Sequence, residues 1–438
     1  MNTPIYDFVT AYADRHPARL HMPGHKGRGC LGVEQFDITE IPGADDLYHP
    51  GGIIAESETN AALLFGAACT VYSTEGSSQC IRAMVHLAAD HITDGKPLFL
   101  AARNAHKTFL YAAALVDADI QWLWPDEQDA LCSCSITPKQ LERALTNAKR
   151  TPAAVYVTSP DYLGNLLPIA ELAEVCHRHN TLLLVDNAHG AYLRFLPEDL
   201  HPITLGADLC CDSAHKTLPV LTGGAYLHMS QACADLFAPC IKEVMALYGS
   251  TSPSYLTLAS LDLCNRYLDS QIRTDLTKLL PAVEQTRTTL AANGWQLVGD
   301  EPLKLTLRCP GTQIANLLAE QNVFCEYADS EHLVLMLSPS TDPVDLELLV
   351  AALGKNHWAV PASVQLPPLH PAQALSPRQA IFAPQEQVPI EQAVGRICAA
   401  PTVSCPPAIP IAVSGEVVDE AALVWLTHYG MDTVCVVK

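Results

Sequence analysis

"CDSAHKTLPVLTGGAYLH" occupies residues 211–228, and the fold turns on how it is read. The apolar run before it, ending Asp-Leu-Cys-Cys-Asp, reads as a buried strand. "GGAYLH" (223–228) reads as a second strand entered through a glycine turn. Between them stands Lys216, flanked by His215 and Thr217, with Ser213 just upstream. A lysine on a short connection between two buried strands belongs neither to a solvated helix face nor to a core. It is placed there for some chemistry.

Outward from this stretch, residues 55–230 alternate between helical segments and short β-branched runs. The predicted strands are "CTVYS" (69–73), "PLFLAA" (97–102), "DIQWLW" (119–124), "AAVYVTS" (153–159), "TLLLVDN" (181–187) and "ADLCCDS" (207–213). Amphipathic stretches such as "SSQCIRAMVHLAADH" and "PIAELAEVCHRH" lie between them and are long enough for crossover helices. Near-continuous apolar strands alternating with helices predict an α/β fold whose mostly parallel sheet is covered on both faces. Ligands of such sheets bind outside the carboxyl ends of the strands. That rule assigns Ser73-Thr74, Ser159, Asp186 and Ser213–Lys216 to one edge.

The N-terminal "MNTPIYDFVTAYADRHPARL" reads as an amphipathic helix, with no basic segment followed by an apolar one, so no secretory signal is expected. A long helical region is predicted around 254–294. "PLKLTLRC" and "HLVLMLS" then read as strands of a smaller α+β domain, and a proline-rich passage leads to a tail ending "YGMDTVCVVK". The expected division is an N-terminal arm (1–54), a large domain (55–294), a small α+β domain (295–360), and a linker with a C-terminal domain (361–438).

Composition narrows the function class. Of 438 residues, 49% are hydrophobic and 17% charged, too apolar for a disordered chain. A formal net charge of −21 argues against nucleic acid, whose phosphates require a basic patch. The apolar runs are strand-sized, so no membrane span is predicted and a cytoplasmic protein is expected. Sixteen cysteines are scattered through apolar segments, where Cys69, Cys80 and Cys240 read as small buried hydrophobes. None of the Cys/His clusters has the paired spacing of a structural zinc site, so no metal is expected.

The strand ends together supply what pyridoxal phosphate requires: a lysine for its aldehyde, a carboxylate for its ring nitrogen, an anion site and a flat partner. Asp186 closes "TLLLVD". "STEGSS" (73–78) opens a helix after a strand and offers N–H groups and hydroxyls to a phosphate. His106, in "ARNAHKT", is the flat partner. Each feature alone has a plainer reading: Asp186 a helix cap, "STEGSS" an ordinary helix start, His106 a satisfied histidine. Four separate segments meeting the needs of one cofactor carry the stronger case. The glycine fingerprints of nucleotide sites are absent.

With these residues in view, the chain resembles the group III pyridoxal-phosphate decarboxylases acting on ornithine, lysine and arginine. "DNAHGAY" (186–192) with "DSAHKTLPVLTGGAYLH" (212–228) carries the resemblance, joined by "HMPGHKG" (21–27), "EIPGADDLYHPGG" (40–52), "STEGSS", "RNAHKT", "YGSTSPSY" (248–255) and the tail "GRICAAPTVSCPPAIPIAVSGE" (395–416). It implies fold type I, with a transferase-like large domain on a mostly parallel seven-stranded sheet, a small α+β domain and a C-terminal decarboxylase domain. It further implies pyridoxal 5'-phosphate as cofactor and a homodimer with shared active sites. By position, Lys216 is the Schiff-base lysine and Asp186 the partner of the pyridinium. His106 stacks on the ring, Ala188 packs its other face and His189 lies close by. Ser73, Thr74, Gly76, Ser77, Ser213 and His215 surround phosphate and imine, while Thr251 and Ser252 reach the neighbouring subunit's phosphate. His215 and Lys216 both qualify as proton donors to the α-carbon.

The resemblance is to the short form, beginning without the N-terminal wing domain and therefore expected as a dimer or a pair of dimers, with no decameric ring. Four positions depart from the family pattern: Asn187 where the family has an acid, and Cys405, Ala408 and Ser414 in the tail where it has Tyr, Gly and Pro. Asp45-Asp46 and Glu416 are candidates for the cationic end of a basic substrate. The rival enzyme reading is an aminotransferase or lyase, with Arg308 clamping the substrate carboxylate. The rival outside enzymology is a catalytically idle paralogue.

Overall fold

The computed structural model describes residues 1–93, 95–126, 132–359, 366–400 and 411–438. Seven strands form the main sheet: β1 (Cys69–Ser73), β2 (Leu98–Ala102), β3 (Asp119–Leu123), β4 (Ala154–Thr158), β5 (Leu182–Asp186), β6 (Leu209–Asp212) and β7 (Ala225–Met229). Their order is β1-β7-β6-β5-β4-β2-β3. β2 runs parallel to β3 and β4, and β5 parallel to β6. β7 is antiparallel to both its neighbours, β1 and β6. Every strand read from the sequence is present, with ends that differ by at most two residues. β2, β6 and β7 are buried along their whole length, the reason their apolar runs show no alternation. β3, at the sheet's end, is only half-buried at four of its five positions.

By internal contacts the chain falls into two units: residues 1–87, 183–277 and 338–340, and residues 88–182, 278–337 and 341–438. The first holds α1 (Pro4–Asp14), α2 (Ile53–Phe65) and most of α3 (Ser77–Asp90). α1 buries Ile5, Val9 and Ala13, four residues apart, on one face. It is shorter than the expected helix over the first twenty residues. Arg15 caps it, His16 takes a left-handed φ of 48°, and Pro17 follows, which disfavours helix at the residue before it. The helical region 254–294 is two helices, Tyr255–Ser270 and Ile272–Ala292.

The second unit carries α4 (Lys107–Leu115), α5 (Pro138–Thr146) and α6 (Ile169–Arg178). It also holds an antiparallel sheet of β8 (Gln296–Val298), β9 (Lys304–Arg308), β10 (Tyr327–Ala328) and β11 (His332–Met336), in the order β10-β11-β9-β8. Near the C-terminus β12 (Gln385–Pro389) pairs antiparallel with β13 (Thr433–Val437) over a separate core that includes Leu369, Cys398, Trp425 and Val436. Among the described residues no helix is long and apolar enough to cross a membrane. Cys80 is buried as expected, whereas Cys69 and Cys240 are only partly so. Cys405 and Ala408 lie outside the described residues.

Candidate active site

The register of β1, β7, β6 and β5 builds the site in the first unit. Ser73 pairs with Ala225, Asp212 with Tyr226, and Asp186 with Cys211. The carboxyl ends of β1, β5 and β6 and the start of the antiparallel β7 therefore share one edge. That edge receives the "STEGSS" turn, the glycine turn, residues 213–216 and residues 186–189.

Lys216 lies on a single helical turn, α7 (Ala214–Thr217), directly after β6. Its Nζ is 3.0 Å from Nε2 of His189. Because an ammonium only donates, His189 accepts at Nε2. Asp186 ends β5 and is 3% exposed; its Oδ1 accepts from Ala188 N at 3.2 Å. A buried carboxylate and a lysine amine thus stand on adjacent strand ends, as the sequence implies.

His215 donates from Nδ1 to Gly224 O at 3.0 Å, since a carbonyl can only accept. Burial lowers its pKa, the Lys216 charge acts the same way, and the bond to Gly224 offsets them only in part. The ring is neutral near pH 7, with its proton on Nδ1. Its Nε2 is then an acceptor, not a proton donor.

The "STEGSS" turn is closed by Gly76, which takes φ 71° and donates its N–H to Gly223 O at 2.7 Å. Gly223 (φ 97°) must also be glycine, because a Cβ there would meet Thr74 O at 2.8 Å. Ser213 Oγ donates to Ser77 Oγ at 2.8 Å, joining the turn before Lys216 to the first residue of α3. Ser73 differs from expectation. Its hydroxyl is fully buried, 2.6 Å from Gln79 Oε1, and accepts from Glu75 N. The side chain shapes the turn instead of facing an open anion site.

Gln79 is a residue the motif reading missed. Its Nε2 donates to Tyr48 OH at 3.0 Å and to Met245 O at 2.8 Å, linking the turn to "EIPGADDLYHPGG" and to the segment leading into "YGSTSPSY". Gly249 seals this junction: a Cβ there would lie 1.9 Å from Tyr48 OH and 2.2 Å from Gln79 Nε2. Beyond it, Thr251 and Ser252 are exposed on the single chain. A polar residue on the first turn of an amphipathic helix was the only local signal for Gln79.

Asn187 is buried and turned to Asp212, donating from Nδ2 to Oδ1 at 2.7 Å. An ionised acid could not donate that bond. Asp212 also receives His201 Nε2 at 3.0 Å and His228 Nε2 at 3.2 Å. Burial works to raise its pKa, but the two histidines outweigh it and hold the carboxyl far below the usual range. Cys210 Sγ completes a buried group of His201, Cys210 and Asp212 whose ligand-type atoms lie within 4.8 Å of one another. Ile203 N donates to His201 Nδ1, so the Nε2 proton is committed to Asp212, and the group is a hydrogen-bond network.

The substrate-recognition candidates fare differently. Asp45 accepts from the N–H groups of Asp46, Gly51, Gly52 and Ile54, which holds its carboxyl below the usual range despite partial burial. It caps the start of α2 and is not available to a substrate. Asp46 is exposed and accepts from Tyr48 N and His49 N. In the second unit Glu416 is 1% exposed and bonded bidentately to Arg103 at 2.7 and 2.8 Å. Its charge is spent inside the protein. Removing one partner of such a buried pair costs about 3–5 kcal/mol.

Also in the second unit, His106 is the N-cap of α4, its Nδ1 accepting from Thr108 N at 3.2 Å. Ser159 accepts from Leu167 N at 3.0 Å. Arg308 ends β9, between β8 and β11, and Ser414 is buried.

The donor set fits pyridoxal phosphate: a lysine amine, and a buried carboxylate three strands over from a glycine-closed turn of N–H groups and hydroxyls, all on one sheet edge. Comparison with known proteins gives the same answer. The model for the Orn/Lys/Arg decarboxylase major domain matches residues 3–307, and that for the family's C-terminal domain matches residues 362–430. An arginine decarboxylase of Halalkalibacterium halodurans is 30% identical over 97% of this chain and 92% of its own length. One from Bacillus subtilis is 30% identical over 95% and 91%. The lysine decarboxylase LdcF of Francisella novicida shares the fold, with a TM-score of 0.83 at 18% identity over 100% of this chain and 81% of its own. The chain belongs to the Orn/Lys/Arg decarboxylase family, pyridoxal-phosphate enzymes that release CO2 from a basic amino acid.

Proposed function

We propose that the protein converts arginine to agmatine and CO2, with the cofactor held at Lys216. The observation that supports this reading most is Lys216 beside His189 on the strand edge that also carries Asp186. The choice of arginine rests on relatives at 30% identity that bear the name arginine decarboxylase and align over more than nine-tenths of both chains.

In this reading Lys216 holds the aldehyde carbon, and Asp186 keeps a proton on the ring nitrogen through its buried negative charge. His106 and Ala188 pack the two ring faces, and Thr74, Gly76, Ser77 and Ser213 bind phosphate. The roles of His106, Thr251 and Ser252 rest on their motifs. When bound, pyridoxal phosphate supplies the sink for the electron pair left as the α-carboxylate departs. His215 is neutral with its proton turned to Gly224, so Lys216 Nζ is the group that returns a proton to the α-carbon. Incubation with arginine, lysine and ornithine, followed by identification of the amines, tests the assignment.

A homodimer is part of the proposal. Thr251 and Ser252 are exposed on the single chain, and so are Leu20, Met22 and Leu31 of the N-terminal arm, with Leu20 at 96%. Apolar side chains this open suit a surface covered by a second copy. Specific activity is expected to fall on dilution below the dimer dissociation constant and to return on concentration. A fully active monomer in light scattering would refute the shared site. A cytoplasmic location belongs to the same reading.

A further inference from the structure

We propose that the C-terminal domain positions His106 by gripping both ends of the helix that His106 caps. The inference rests on the reading of His106 as the residue that stacks on the cofactor ring.

The N-terminal grip is the pair Arg103–Glu416. Arg103 lies three residues before His106, and its backbone N–H donates to Leu123 O at 3.1 Å. Its guanidinium is bonded through Nη1 and Nη2 to the two oxygens of Glu416, and Nη2 also donates to Ile411 O at 3.2 Å. The same guanidinium stacks 4.8 Å from the ring of Trp122 and 4.6 Å from that of Trp124. Val413 N in turn donates to Glu416 Oε2 at 2.9 Å, fixing the carboxylate from its own domain. A planar fork held by a carboxylate and two aromatic faces has one orientation, which a lysine would not reproduce.

The second grip is at the far end of α4. Arg378, on the helix Pro377–Phe382, donates from Nη1 to Ala114 O and Leu115 O, both at 3.1 Å. These are carbonyls of the last turn, where a cation also meets the negative end of the helix dipole. Between the two grips α4 is nine residues, about 13 Å of rigid rod. The His106 ring is tied to that rod, because its Nδ1 accepts from Thr108 N and lies 2.9 Å from Thr108 Oγ1. A shift of either end therefore turns the ring. Glu416 thereby acquires a role in place of substrate recognition, and two domains matched by separate family models become linked at a defined point.

The rate of pyridoxal phosphate release from holoenzyme, followed by its absorbance in the presence of a scavenger, tests the proposal. His106→Ala should release the cofactor faster. Glu416→Gln should speed release about tenfold, the scale of one lost charged hydrogen bond, and Arg378→Ala severalfold. In the His106→Ala background both increments should vanish, which a purely structural role would not produce. Arg378 is exposed, so its variant carries the test alone if Glu416→Gln fails to fold. Additive increments, or unchanged release in both single variants while His106→Ala is fast, would overturn the positioning role. Unchanged release in His106→Ala would instead refute the stacking role and this inference with it.

Discussion

Replacing Lys216 with alanine is expected to lower kcat by at least about a thousandfold. It should also abolish the visible absorbance of cofactor bound to the protein. The side chain leaves a single helical turn between two buried strands, and the turn itself is held by backbone bonds such as Lys216 N to Ser213 O and Leu218 N to Ala214 O. Thermal stability and circular dichroism should therefore stay close to wild type. In the proposed function Lys216 contributes two things: an amine to hold the aldehyde, and a group that returns the proton to the α-carbon. In the same reading His215 does not replace it, since its Nδ1 proton faces Gly224 O. A variant that kept its absorbance and its rate would show that the cofactor sits elsewhere.

The second large effect is expected from Asp186→Ala, which should cost about a hundredfold or more in kcat and far less in cofactor affinity. The two quantities separate because different residues govern them. In the proposed function the turn at 73–78 and Ser213 remain to bind phosphate, while the ring nitrogen loses the carboxylate that keeps it protonated. Spectral titration with pyridoxal phosphate and steady-state kinetics measure the two effects independently. A near-normal kcat would remove Asp186 from the chemistry. Asn187, the next residue, faces Asp212 and is not expected to compensate.

The placement of these two residues was legible in the sequence because it follows from where a strand stops. The apolar runs ending at Asp186 and Asp212 are buried over their last four residues, so the residues after them emerge at the sheet edge. Glycine turns were legible for a similar local reason, and Gly76 and Gly223 do adopt left-handed φ values. Contacts between distant segments left no such trace. Arg103 and Glu416 are 313 residues apart, and nothing in "RNAHKT" or "VSGEV" announces that their charges cancel. Asp45 reads as a free acid in "GADDLYHPGG" because backbone N–H groups that converge on a carboxylate have no letter in the sequence. The burial of Ser73 is likewise decided by Gln79, six residues further on, and by the tyrosine it reaches. The end of α1 is a different case: Pro17 marked it, and the amphipathic pattern continuing past it was misleading.

The products that leave the active site distinguish decarboxylation from every rival chemistry. Purified protein supplied with pyridoxal phosphate should be incubated with arginine, lysine and ornithine in turn, with the amine identified by mass and CO2 measured in the same vessel. The expected result is agmatine and CO2 in equal amounts from arginine, with lysine and ornithine turned over more slowly. A 2-oxo acid formed without CO2, or no product from any of the three, would contradict it.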